Sequence, residues 1–564
     1  MVVGDMGFPG ERPVDPAALA AGAIGEDGYF ATSGSALNPR NTGKKWVWGD
    51  LPVMLATPLV RLTSGSGLSF ELRDGRSLAA VIDTITTGLV VVLALEVGLS
   101  GWAALVAGLL YALTPLALQH AHFFVVDPFA TCATTGTLIL ASRLIYRGGW
   151  AMAVAAGCAV GIAVACKVSM VLAAVPVGVA ALALGCCGHG ESWGRWRHAR
   201  GLVIAAVAGV AAVLFFRLIH PYAFVGPGVL DVRLDGRWWQ GLMSAAAQQK
   251  AGYDAPWAWQ WVGRSPLFFF RNLALWALGP PLAVAGFAGI AWAGVEAWWQ
   301  RNPRLLVPAG WCVLVFGVVA MQTVKSIRYA LPAVPALAVV AAGFLAAMIG
   351  ADTRWRRNVG VALLVVVLIG TAGFGVALVG LHVAPHPRQS ASQWILDHVA
   401  PGTVVINESA YDDALPWTVV RNGRFVNGLA SGLYEDLRLE VHWPDTRSKL
   451  DHMLKLLRRG EVLVVSSNRL RMPIERLPER FPMTTAYYEL LESGELGFEL
   501  VAVFERRPRW FGVVPLDDSR AEEAWRINDH PVVRVYRKGG GFDPDSMARV
   551  LASQLKDVRG SGRS

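Results

Sequence analysis

Residues 354–381 read RWRRNVGVALLVVVLIGTAGFGVALVGL. From Val359 to Leu381 no residue is charged, and the run reaches the roughly 20 apolar residues that a helix needs to cross a bilayer. Arg354, Arg356 and Arg357 crowd one end of it, which the positive-inside rule assigns to the cytoplasmic face. After Leu381 the pattern changes and stays polar to the end of the chain. This one stretch predicts a span, its direction and the start of a second, soluble part.

Nine further apolar segments precede it, at 78–98, 102–119, 129–146, 150–166, 168–187, 201–219, 272–294, 305–321 and 329–349. Residues 46–62 are shorter and are broken by Pro52 and Pro58, so they read as an interfacial or re-entrant piece. Of the 564 residues 54% are hydrophobic and only 16% charged, with mean hydropathy +0.42. A soluble chain carries about 25% charged residues, so a wholly water-exposed protein is excluded, as are disorder, collagen and a small disulfide scaffold. The net charge of +9 could point to nucleic acid, but in such a chain surplus Arg belongs to cytoplasmic loops, and nucleic acid is not expected as a partner.

The loop arginines bear this out. Arg143 and Arg147, then Arg195, Arg197 and Arg200, then Arg301 and Arg304, then the 354–357 cluster, fall on alternate connections. The opposite, extracytoplasmic face then holds the N-terminal loop, the 120–128 loop, Lys167, the 325–328 turn and everything after Leu381. It also holds a loop between 219 and 272 with Trp238, Trp239, Trp257, Trp259 and Trp261, whose indoles suit a loop lying on the membrane surface. The expected division is an N-terminal loop with its interfacial piece (1–77), a transmembrane bundle (78–382), an α/β domain (388–540) and a polar tail (541–564). In the α/β domain the apolar runs 404–407, 462–466, 500–504 and 532–536 read as strands, and 392–398, 446–458 and 485–492 as helices.

The six cysteines, Cys132, Cys158, Cys166, Cys186, Cys187 and Cys312, lie in or beside apolar runs, which leaves the C-terminal part without a disulfide. Residues 1–45 lack the basic and apolar regions of a signal peptide. No Gly-rich phosphate loop opens any helix, so there is no sign of a nucleotide site.

Ionisable residues at the membrane edge are the informative ones, because at membrane depth they cost several kcal/mol unless paired or solvated. Asp127 follows His120 and His122. Lys167 stands between two spans. Arg217, His220 and Tyr222 close another span in FRLIHPYAF, and Lys325, Arg328 and Tyr329 share KSIRYALP. One carboxylate facing several cations suits a substrate with a phosphate and a hydroxyl to activate. Plainer readings stand beside this one: Lys167 and Arg217 could snorkel to headgroups, and Asp127 could cap the helix that starts at Pro128. His120, His122 and Asp127 could hold a divalent metal. Asp83 and Glu96, inside the first apolar segment, are expected to pair with other helices.

The strings DGYFATSGSALNPRN (27–41), VWGDLP (47–52), HFFVVDPFAT (122–131), KVSM (167–170), HPYAF (220–224) and KSIRYALP (325–332) resemble bacterial phospholipid-carrier-dependent glycosyltransferases, relatives of the dolichyl-phosphate-mannose–protein mannosyltransferases of glycosyltransferase family 39. The C-terminal strings at 466–491, 494–504 and 527–538 resemble the same group. The resemblance implies a polytopic α-helical membrane protein, a C-type glycosyltransferase-like bundle with a C-terminal soluble α/β domain, in the plasma (inner) membrane. It implies transfer of a sugar, with inversion, from a polyprenyl-phosphate carrier to a glycan, lipid or protein acceptor, without a nucleotide. Asp127 matches the family's second acidic position and is expected as the catalytic carboxylate; Lys167, Lys325 and Arg328, with Tyr329 and Arg217, are then expected at the donor phosphate. His120, His122, His220 and Tyr222 are expected to line the site.

The family's first helix and the acidic motif after it are not found, and Met1 is expected to lie downstream of them. Glu26 and Asp27 are the nearest acidic pair, with a surface loop as the simpler reading, so the chain as written is expected to lack its usual base. Two rivals remain open: a transporter or flippase of lipid-linked substrate, and a non-catalytic carrier-binding relative.

Overall fold

The structure is a computed structural model that describes residues 30, 32, 38–42, 48–63, 74–187, 197–250, 252–299, 303–408, 414–421, 424–427 and 433–555. Glu26 and Asp27 lie outside them. The chain divides into two compact units, Met1–Ala251 with Ser265–Leu378, and Gly252–Arg264 with Val379–Ser564.

The first unit is helical, and helices occupy each of the ten expected segments. By length and composition, six helices among the described residues can cross a membrane: Arg76–Glu96, Ala199–Ile219, Pro280–Trp299, Pro303–Met321, Ile327–Ile349 and the apolar part of Arg354–His398. The chain is a multi-pass membrane protein. The segment expected at 102–119 is two helices, Gly101–Ala112 and Pro115–Ala121, bent by 59°. Pro115 has no N–H to continue the first helix, and its ring forces Thr114 into extended backbone. The helix Val126–Arg147 is more polar than its neighbours, yet its threonines are satisfied internally. Thr131, Thr134, Thr135 and Thr137 each donate to the carbonyl four residues back, at 2.7–2.9 Å.

Small residues let the helices approach closely. A Cβ on Gly157 would lie 2.2 Å from the Ala208 carbonyl, and one on Gly161 2.8 Å from that of Ala212. The two glycines, four apart on Trp150–Cys166, thus form the flat face on which Arg197–Ile219 lies. Asp83 and Glu96 pair with other helices as expected: Tyr111 donates to Asp83 at 2.6 Å and Arg143 to Glu96 at 2.9 Å.

The second unit carries the sheet. Strands β1 (Val404–Asn407), β4 (Glu435–Arg438), β5 (Val462–Val465), β6 (Phe498–Phe504) and β9 (Val533–Lys538) stand in the order β4-β1-β5-β9-β6. Two small hairpins, β2 (Thr418–Arg421) with β3 (Arg424–Asn427) and β7 (Arg509–Trp510) with β8 (Val514–Pro515), lie apart. β4, β1 and β5 are parallel, with β9 antiparallel to β5 and β6 to β9. Alternation sorts the strand residues by face: Val405, Val462, Val464, Val533 and Val535 pack under the helix Pro387–His398, whereas Ile406, Leu463, Val465 and Tyr536 pack against Arg447–Arg459 and Pro482–Ser493. Residues expected as a polar tail include the helix Pro544–Gln554, which buries Met547 and Leu551 in that second core.

In the Trp-rich loop Trp239 is 47% exposed, but Trp259 and Trp261 are 2% and 4% exposed and belong to the core of the second unit. The Trp259 ring packs on Phe481 (centroids 4.7 Å apart) while its N–H donates to Asp254, and the Trp261 N–H donates to Glu522 at 3.2 Å. Arg476 clamps the turn by donating to the Gln260 and Val262 carbonyls. Both indoles are buried with their N–H groups satisfied, as large aromatic core residues require. Trp238 is also buried, beside Ala223 and Phe224 in the first unit.

Candidate active site

Three breaks in helical structure bring the site together. Val125 is extended, and Asp127 follows in the first turn of Val126–Arg147. Lys167 is extended (φ −155°, ψ 117°) between the helix Trp150–Cys166 and the 3-10 turn Val168–Ala173. Arg328 and Tyr329 open the 3-10 turn Ile327–Ala333 that leads into Val334–Ile349. Lys167 and Arg328 stand outside regular α-helix and Asp127 in the first turn of one, so all three lie where helices begin or end.

Asp127 is fully buried and caps no helix end; its carboxylate instead joins two cations. Lys167 Nζ donates to Oδ1 at 2.7 Å, and Arg328 donates to Oδ2 through Nε at 2.8 Å and Nη2 at 2.7 Å. The Lys167 ammonium also sits over the Tyr329 ring, 4.8 Å from its centre. The residues nominated from three distant strings therefore meet. Neither cation of the triad points away to headgroups, and the arrangement is a carboxylate that holds Lys⁺ and Arg⁺ side by side. Lys325 takes another partner, with Nζ donating to the Gln322 carbonyl at 2.6 Å. His120 and His122 face main-chain carbonyls, His120 Nδ1 at 2.9 Å from that of Leu116 and His122 Nδ1 at 2.6 Å from that of Leu118. Among the described residues no group of three or more His, Cys, Asp or Glu is placed to hold a metal ion.

Arg217, His220 and Tyr222 belong to a second cluster. Arg217 donates to the carbonyls of Pro221 (3.1 Å) and Gly228 (2.8 Å) and lies over the rings of Phe30 and Phe224. His220 is fully buried and meets Asp50: its Nδ1 accepts the Asp50 N–H at 3.2 Å and lies 3.3 Å from the Asp50 carboxylate. Arg40 completes the cluster, 3.8 Å from Asp50 and donating to the Tyr222 carbonyl at 3.5 Å. Burial holds the His220 imidazole below its ordinary pKa with help from Arg40, against the pull of Asp50, so the ring is neutral at pH 7. Sequence reading passed over Asp50 and Arg40. The only signal was the Gly-Asp pair in VWGDLP, whose partner lies 170 residues away.

Residues 68–216 match the family model of dolichyl-phosphate-mannose-protein mannosyltransferases. No curated protein matches the chain. Among solved structures, the chain is similar to the Archaeoglobus fulgidus oligosaccharyltransferase tethered with an acceptor peptide (15% identity, TM-score 0.48, 81% of this chain and 64% of that one). It is also similar to ArnT from Cupriavidus metallidurans bound to undecaprenyl phosphate (15% identity, TM-score 0.44, 94% of each chain) and to the mycobacterial arabinofuranosyltransferase AftD (15%, TM-score 0.34, 87% of this chain and 37% of that one). The chain thus spans 64% of the length of the archaeal enzyme. Across residues 68–216, the stretch that carries Asp127 and Lys167, this multi-pass membrane protein matches the dolichyl-phosphate-mannose-protein mannosyltransferase family that its short motifs resembled.

Proposed function

We propose that the protein is an integral membrane glycosyltransferase that moves a sugar from a polyprenyl-phosphate donor to an acceptor, with inversion. The observation that carries this reading is the Asp127–Lys167–Arg328 triad, which keeps two cations together at the ends of membrane helices. In the reaction an acceptor hydroxyl attacks the anomeric carbon, the carbon–oxygen bond to the phosphate breaks, and the electron pair leaves on the phosphate oxygen. Lys167 and Arg328 meet that developing charge, with Lys325 and Tyr329 beside them. Asp127, both of whose oxygens accept from cations, serves better to aim Lys167 and Arg328 than to remove the hydroxyl proton. In the overall balance that proton ends on the released phosphate monoester or in water.

The charges lie at helix ends rather than midway along broken spans, which favours this reading over a transporter. The same reading puts the protein in the plasma (inner) membrane. It sets the second unit on the extracytoplasmic side, opposite the arginine-bearing loops, where it helps to bind acceptor.

The test supplies the full-length chain in nanodiscs with polyprenyl-phosphate hexoses and cell-envelope acceptors, and follows release of polyprenyl phosphate. Arg328→Ala is expected to slow release about a hundredfold, the usual cost of losing one charge-stabilising donor. Release unchanged in Arg328→Ala, or no release from any such donor, overturns the reading.

A further inference from the structure

We infer that His220 is a positioning residue for Lys167, acting through the Gly49–Asp50 turn. The inference rests on the donor-phosphate reading above for its functional meaning, though not for its geometry.

Gly49 sits directly on the last turn of Trp150–Cys166. A Cβ there would lie 2.0 Å from the Ala165 carbonyl oxygen and 2.3 Å from that of Cys166, so only glycine allows the contact. Those carbonyls immediately precede Lys167, where the helix ends. The turn continues into the helix Leu51–Thr63, and Trp48, Leu51 and Val53 pack against a cluster of Ala163, Cys166, Met170, Phe124, Phe129 and Ala130. That cluster brackets both Lys167 and Asp127 in sequence.

From the other side the turn meets His220 and Arg40. Asp50 donates its main-chain N–H to His220 Nδ1 at 3.2 Å, and Arg40 steadies the Asp50 carboxylate. His220 itself cannot swing: its ring stacks on Phe216 with centroids 4.9 Å apart and meets the edge of Trp238 at 6.3 Å. The chain of contacts therefore runs from His220 Nδ1 to the Asp50 N–H, through Gly49 to the Cys166 carbonyl, and on to Lys167 and Asp127. If the Asp50 N–H loses its acceptor, the turn lifts, the end of the helix relaxes and Lys167 leaves its partner.

This assigns the role to the δ nitrogen, which gives the test its sharpness. Asn places an amide oxygen near the Nδ1 position, whereas Gln reaches toward Nε2. The full-length chain in nanodiscs is used, as wild type, His220→Asn, His220→Gln and Gly49→Ala. The first readout is acetylation of Lys167 by acetic anhydride, followed by peptide mass spectrometry, with Lys455 as internal reference. The second is affinity for undecaprenyl monophosphate. His220→Gln and Gly49→Ala are expected to raise Lys167 labelling and weaken binding by about tenfold each, the effect of one lost buried hydrogen bond, and His220→Asn to stay within about twofold. Equal behaviour of the Asn and Gln variants, or wild-type labelling in His220→Gln, overturns the inference. Should His220→Gln not fold, wild-type labelling in Gly49→Ala overturns it equally. If labelling follows expectation while even the wild type ignores undecaprenyl monophosphate, the positioning role stands and the donor reading falls.

Discussion

Asp127 shows how a carboxylate buried in a membrane protein can be paired. Its two oxygens are divided between Lys167 and Arg328, so either substitution leaves an imbalance. Asp127→Asn sets two cations face to face in a buried place and is expected to destabilise the first unit by about 3 kcal/mol while lowering transfer, measured by melting and by donor turnover. Arg328→Lys keeps the charge but loses the paired Nε and Nη2 donors, and a partial loss is expected. In the second unit, Glu523 is buried, with Oε1 accepting the Asn468 N–H at 3.2 Å. Burial pushes its carboxyl above the ordinary 4.5, although Arg526 pulls the other way. The native state then holds this proton after the unfolded chain has released it, so stability falls as pH rises through 4.5 toward the native value. Glu523→Gln removes that loss; its melting temperature should gain on the wild type as pH rises above 4.5.

Elements were the most legible level, and the reasons for success and failure are physical. Apolar runs located all ten helical segments because burial in lipid and in a packed bundle selects the same residues. The reading ran through Thr114–Pro115 and Leu278–Pro280, where hydropathy continues although the backbone does not: one helix bends there, and Gly279 turns at φ +76°. Short apolar runs found β1, β5, β6 and β9, while β4, with Glu435, Asp436 and Arg438 along an edge strand, gave no apolar signal. The Asp127 site was legible because each member stands in a charge-poor string. The Asp50–His220 contact was not, because nothing local to either residue names the other. Helix packing offers its own test. Gly157→Leu drives a side chain into the Ala208 carbonyl and is expected to cost about 1–3 kcal/mol, read as a lower melting temperature and weaker protection of Trp150–Cys166 in hydrogen exchange.

For the whole molecule, the orientation proposed from the arginine-bearing loops is open to a direct test. A reporter active only in the cytoplasm, fused after Ser564, is expected to stay silent; activity there refutes the extracytoplasmic assignment. The second unit is not one continuous piece of chain, since Gly252–Arg264 supplies Trp259 to its core. Trp259→Ala is expected to cost about 3–5 kcal/mol of that unit's stability, as for other buried aromatics cut to alanine. Its order of synthesis follows. The ribosome makes the indole-bearing segment early, then threads several more helices into the bilayer before the strands that will enclose it exist. Until the last third of the polypeptide emerges, those tryptophans wait with no core to enter, so the second unit can close only late in synthesis.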